Sequence, residues 1–320
     1  MKVTAARFPL WPRGASSRPV WLLSSLWWFL AGSLCLAALA RVGGIRTVGP
    51  GGSVTIGALQ SSAPARPVTP AALAAELRPL FGEWKAIPSG EMGEKGPAIK
   101  ARIDAALTTY VVGRLQESPR PPTLSLQDDL NKALKTSIWE SVFGVSHAEV
   151  EEALRSNASR PLAFVVQGSG PASDLYVAAF AIGYGNVFST RVRAFGPRGG
   201  KYRAVNSGGT PLEGAVSDMV PLRSFAPDEL RFVIWSLHIG SPEGLTTVAV
   251  DKFDGSALKT LWIEENVPAA KVTLQEGLVV IESRSPVFTK DGTIFNRERT
   301  LYRQTSGGLK QEKTTRWTER

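Results

Sequence analysis

LYVAAFAIGYGNVFSTRVRAF, residues 175–195, decides the fold: two runs rich in apolar, β-branched and aromatic residues, Leu175 to Ile182 and Phe188 to Phe195, flank a glycine-containing gap. Runs of that length and composition, bounded by turn residues, are strands. The texture extends to both sides. From Pro161 onward, further strands are expected over Ala163 to Val166, Lys201 to Val205, Leu230 to Leu237, Thr246 to Phe253, Leu258 to Glu264, Val272 to Leu274, Leu278 to Ser283, Phe295 to Arg303 and Leu309 to Trp317. Short turns between them imply antiparallel pairing. Turn signals recur at Gly196 to Gly200, Asp254 to Ser256 and Ser306 to Gly308, at roughly the spacing of propeller blades. Three such units are too few to close a ring of four or more blades. The expectation for 161–320 is therefore a sandwich or an open sheet, with partial β-propeller-like repeats as the alternative.

Upstream the apolar period changes from two to 3.6. Thr69-Pro70 pairs an N-cap with a proline at the first helical position, and AALAAEL follows, so a helix is expected to about Phe81. Gly82 to Gly96 interrupts it. From Pro97, residues Ile99, Ile103, Leu107, Val111 and Leu115 form a four-residue stripe. A third helix is expected to begin near Ser125, with Leu126, Leu130, Leu134, Ile138 and Val142 as its stripe and Gly144 as its end. Ser146-His147-Ala148-Glu149 is a capping box for a fourth helix, ending near Asn157. Residues 70–160 thus read as a small helical subdomain and 161–320 as a β-rich domain, an α+β chain overall. The stripe of the second helix is too large for so few helices to cover, and it is expected to dock on the sheet.

Toward the N-terminus, 41–69 is rich in Gly, Pro, Ser and Ala and reads as a flexible linker. Its GPGGS lacks the Lys-Ser/Thr pair of a phosphate loop. Before it, 20–40 (VWLLSSLWWFLAGSLCLAALA) carries no charge and is long enough to cross a hydrocarbon core. Its length and Trp21, Trp27 and Trp28 point to a signal anchor that stays. Ala38-Leu39-Ala40 offers the alternative, a signal peptide cleaved after Ala40 to give a secreted chain. Lys2, Arg7, Arg13 and Arg18 in 1–19 hold the N-terminus in the cytoplasm, so the remainder is expected outside it, in the periplasm of a bacterial cell.

Composition excludes several classes. The 320 residues carry a net charge of +9, but seven basic residues precede Glu76; the 30 that remain face all 28 acids. That balance gives no reason to expect nucleic acid. Cys35, the only cysteine, lies in the apolar run, so no disulfide framework is expected. Histidines are two, His147 and His238, without metal-ligand spacing, and neither metal nor cofactor is expected. Ser256-Ala257-Leu258-Lys259 matches S-x-x-K but follows a turn, where residues three apart on a strand face opposite ways. Gly168-Ser169-Gly170 falls short of a nucleophile elbow.

What remains is a non-enzymatic binding or assembly module. Its expected partners are the membrane, through 20–40, and a protein, through the long apolar connection 206–228. Leu212, Val216, Met219, Val220, Leu222 and Phe225 are the candidate interaction surface there. The alternative is an extracytoplasmic hydrolase using carboxylates at 206–229, with Asp218, Asp228 and Glu229 as candidates. The basic residues Arg297, Arg299, Arg303, Lys310, Lys313, Arg316 and Arg320 read as charged protection of terminal strands, or as a face for lipid headgroups or an acidic glycan.

Overall fold

Thr69 accepts a hydrogen bond from the Ala72 amide on its Oγ1 at 3.2 Å, which starts α1 (Pro70–Lys85). The computed structural model describes residues 69–319 other than 89–90, 119, 156–159, 185–186, 206–211, 239–243 and 291. The expectations for 1–19, 20–40 and nearly all of 41–69 fall outside these residues. Among the described residues, no helix is long and apolar enough to cross a membrane.

Helix α2 (Met92–Glu117) begins five residues before Pro97, so the proline does not open the helix but lies in its second turn, where it forgoes the bond to the Gly93 carbonyl. Helix α3 (Thr123–Ile138) widens into a π-turn, Trp139–Phe143, and Gly144 at φ 68° ends it. Around the start of α4 (His147–Arg155), the Glu149 carboxylate accepts from the amide and hydroxyl of Ser146, at 3.0 and 2.7 Å. Those bonds hold the Glu149 carboxyl below the usual carboxylate range.

The strands form three antiparallel sheets. β1 (Ala163–Gln167), β2 (Tyr176–Tyr184), β3 (Val187–Arg198) and β4 (Lys201–Val205) make the first, with β5 (Leu212–Glu213) added on β3. β6 (Ala215–Leu222), β7 (Leu230–Leu237), β8 (Leu245–Phe253) and β9 (Leu258–Pro268) make the second. β10 (Lys271–Gln275), β11 (Leu278–Thr289), β12 (Gly292–Thr305) and β13 (Gly308–Glu319) make the third. The second and third sheets and β1 to β4 of the first run in chain order, each strand pairing with the next; β5 departs from that order by pairing with β3. At one hairpin, Asp254 accepts from the Ser256 hydroxyl and from the amides of Ser256 and Ala257, which takes its carboxyl down to about 2.

Strand alternation sorts the core into layers. On β2, Tyr176, Ala178, Phe180 and Ile182 join Ile99, Ile103, Leu107 and Val111 of α2, so the helices and the first sheet share one core. The opposite face of β2, Val177, Ala179 and Ala181, packs on Phe232, Ile234 and Ala249 of the second sheet. The outward face of the second sheet, with Val233, Trp235, Val248 and Val250, packs on Val272, Val279, Ile281 and Tyr302 of the third. Between the first two sheets the chain passes from β5 to β6 through a single residue, Gly214. It has φ +83°, and a Cβ there would stand 2.2 Å from the Leu237 carbonyl oxygen. Only glycine fits.

Candidate functional site

The third sheet outgrows the second. Its strands β11, β12 and β13 are 12, 14 and 12 residues long, whereas the strands of the second sheet run from 8 to 11. Where the two sheets part, a groove of about 630 Å³ opens, lined by the end of β9 (Glu264 to Pro268) and by Ser283, Ser285, Asn296, Glu298, Arg316 and Thr318, with Arg297 and Trp317 of the intervening positions also bordering it. The pairings Asn296↔Thr318 and Glu298↔Arg316 put these residues on the face that carries Tyr302. Near the apolar core that face holds Val279 and Ile281; further out the same positions are polar.

Two of the three carboxylates in the groove, Glu264 and Glu298, are tied down, whereas Glu265 has no partner among the described residues. Tyr302 donates from its hydroxyl to Glu264 Oε2 at 2.8 Å, and Trp262 meets its ring edge-on at 5.3 Å. Burial first, and then this hydrogen bond to a carboxylate, push the Tyr302 hydroxyl well above its ordinary range. Arg316 Nε donates to Glu298 Oε2 at 2.5 Å, and Thr300 Oγ1 lies 3.3 Å from Glu298 Oε1 and 3.0 Å from Thr314 Oγ1. The side chains of Ser283, Ser285, Asn296 and Thr318 make no hydrogen bond among the described residues. Asn266, at φ 59°, lies at the rim, where a second recess of about 330 Å³ brings in Glu213, His238 and Thr247.

The opposite face of the third sheet is basic. Register places Arg284, Arg297 and Trp317 in one row, Lys271, Glu282 and Arg299 in the next but one, and Leu278, Arg303 and Lys310 in another, with Lys313 opposite Leu301 between them. Seven cations share this face with three carboxylates, Glu282, Glu312 and Glu319, which pair with Arg299, Arg303 and Arg297. Arg284 stacks on Phe295 at 3.4 Å. Of the seven basic residues noted in the sequence, five lie here. Arg316 points the other way, and Arg320 is outside the described residues.

The candidates at 206–229 are placed differently from their sequence reading. The stretch is not one long connection, because it contains β5 and β6. Leu212, Val216 and Met219 are buried between the first two sheets, and Val220 and Leu222 pack against the core between the second and third. Only Phe225 is strongly exposed, and Arg231 lies over its ring at 4.6 Å. The strand escaped notice because Pro221 and a bulge between Val216 and Asp218 break its alternation; β6 is a sheet edge, where proline is tolerated.

The three carboxylates are held apart. Asp218 pairs in register with Trp235, whereas Leu222 pairs with Arg231, so Asp218 lies about 13 Å of strand from the end that holds Glu229. Its oxygen accepts from the Met219 amide at 2.8 Å, and Asp228 is exposed in the turn. Glu229 is buried and accepts from Arg231 Nε at 2.6 Å and from the amides of Phe225 and Ala226. Burial raises its carboxyl, but these donors outweigh it and hold it below the ordinary range.

Elsewhere, Ser256 donates to Asp254 at 2.6 Å, while Lys259 pairs in register with Lys252. His147 contacts Glu140 at 2.8 Å and His238 contacts Thr247 at 3.2 Å. Among the described residues no three His, Cys, Asp or Glu side chains are grouped to hold a metal ion. The groove escaped sequence reading because Glu264, Glu298 and Arg316 are far apart in the chain; the one local signal was polar residues replacing apolar ones midway along β11 and β12. The chain matches no known protein family, no curated protein and no solved structure.

Proposed function

We propose that the chain is an extracytoplasmic binding module, non-enzymatic, whose ligand is a polar molecule held in the groove between the second and third sheets. One observation carries this: Glu264 is held by the Tyr302 hydroxyl and Glu298 by Arg316, while the neutral donors and acceptors Ser283, Ser285, Asn296 and Thr318 make no hydrogen bond among the described residues. Free hydroxyls and amides on a rigid sheet suit reversible hydrogen bonding to a polar ligand. A general acid and base need two carboxylates able to exchange protons with a substrate; here Glu264 is held by Tyr302 and Glu298 by Arg316 and Thr300, which leaves Glu265 as the single carboxylate of the lining without such a bond among the described residues. The apolar run 20–40 and the linker 41–69 support delivery beyond a membrane, with the N-terminus left in the cytoplasm. The succession of three antiparallel sheets, two of them four-stranded meanders and the first a four-stranded meander with β5 added on β3, supports reading each sheet as a blade-like unit, stacked face to face without a ring.

The test is a photo-crosslinking residue at Ser285 of the full chain, expressed in cells. Adducts that disappear when Asn296→Trp fills the groove support the reading, and an unchanged adduct pattern overturns it. The hydrolase alternative, expected at Asp218, Asp228 and Glu229, predicts instead turnover of a glycoside or peptide substrate that is lost in Asp218→Asn or Asp228→Asn; turnover lost in Glu264→Gln or Glu298→Gln would place a hydrolase in the groove and equally overturn the reading.

A further inference from the structure

We infer that the outer face of the third sheet docks on an anionic lipid bilayer, with the β11–β12 hairpin entering the headgroup region. Two independent observations meet on this face. The first is charge: cations outnumber carboxylates, and Lys310 and Lys313 have no ion pair among the described residues. The second is apolar exposure at one end of the same face. Phe288 is 81 % exposed and Trp317 is 42 % exposed. The pairings Pro286↔Phe295, Arg284↔Arg297 and Arg297↔Trp317 put Phe288, Phe295 and Trp317 on the side that carries the cations.

A sheet face with cations over its breadth and aromatic residues at one end matches the layering of a bilayer surface. Lysine and arginine sit at anionic headgroups, and aromatic rings sit just below them. A soluble acidic polymer would account for the cations but leaves Phe288, with no polar atom on its side chain, without a partner. The inference does not depend on a ligand in the groove: Phe288, Lys310 and Lys313 do not line it, although Arg297 and Trp317 border both.

The test uses the full chain with Cys35→Ser and Thr293→Cys, labelled at the new thiol with an environment-sensitive fluorophore and reconstituted into vesicles. Thr293 is exposed and pairs with Phe288. In phosphatidylglycerol vesicles the label's emission is expected to shift to the blue. It should stay unshifted in phosphatidylcholine vesicles. Lys310→Glu with Lys313→Glu should lower the docked fraction about tenfold or more, and so should high salt. Phe288→Ser should shrink the blue shift while leaving the charge intact, with the thermal transition of each variant confirming that it folds. An equal shift in both lipids, or no shift in either, overturns the inference. So does binding to soluble dextran sulfate that outcompetes the vesicles and is indifferent to Phe288→Ser, which would make the ligand an acidic polymer.

Discussion

Asn131 of α3 and Ala163 of β1 are joined by a pair of hydrogen bonds: the Asn131 Oδ1 accepts the Ala163 amide at 3.0 Å, and its Nδ2 donates to the Ala163 carbonyl at 2.8 Å. The same Oδ1 accepts from Leu162 at 2.6 Å, and one turn earlier Gln127 Oε1 accepts from the Val165 amide at 3.1 Å. β1 is an edge of the first sheet, so its outward backbone groups lack a neighbouring strand. Two amide side chains of a helix supply one. They close an edge that would otherwise invite pairing with another chain.

Asn131→Leu is therefore expected to cost about 2–4 kcal/mol, because it strands buried backbone donors and an acceptor that the helix has shielded from water. Denaturant unfolding measures it. Asn131→Asp, which keeps the acceptor and loses the donor, should fall between the two. Equal stability of wild type and Asn131→Leu would show that water replaces the side chain without cost.

Arg231 makes the corresponding tie between the second and third sheets: Nε to Glu229, and its other nitrogens to the carbonyls of Thr305 and Ser306 at 2.8 and 2.9 Å. Glu229→Ala should cost about 3–5 kcal/mol by leaving Arg231 buried without its carboxylate. The pH dependence has a definite sign. The folded Glu229 carboxyl lies below its unfolded value, so its stabilisation is complete above the ordinary carboxylate range and is lost as pH falls through the folded value. The stability difference between wild type and Glu229→Gln should shrink on acidification, and a constant difference would contradict this assignment.

Leu107 is fully buried where α2 meets β2. Leu107→Asp should lower stability by several kcal/mol and shift one cooperative calorimetric transition of the helices and the first sheet together. A separate, unshifted β transition would show that the sheets fold without the helices.

For Gly214, a substitution to valine adds both a Cβ in collision with the Leu237 carbonyl and a strained positive φ. A loss of about 2 kcal/mol or more is expected, with the β5 to β6 crossover disturbed. Deleting 214–225 should abolish cooperative unfolding, because it removes β6. A folded deletion product would show that β6 is dispensable.

The membrane expectation has its own measurement. If 20–40 is a retained anchor, the full chain should stay in the membrane after carbonate washing and begin at Met1. An N-terminus at Arg41 would establish cleavage after Ala40 and secretion.

By itself the sequence determined most of the elements, because their signals are local. Eleven of the thirteen strands follow from composition and turn residues, and the Thr69, Ser146 and Gly144 helix ends follow from capping chemistry. Pattern failed at β5, too short to show a period, and at β6, where Pro221 and a bulge interrupt it. Tertiary structure alone decided that the strands divide into three sheets, since either face of an apolar strand such as β2 can meet a helix or another sheet. It also decided that Leu212, Val216 and Met219 are core, and that residues as distant as Glu264, Glu298 and Arg316 border one groove. Burial and convergence depend on which surfaces meet, and no local run of residues encodes that.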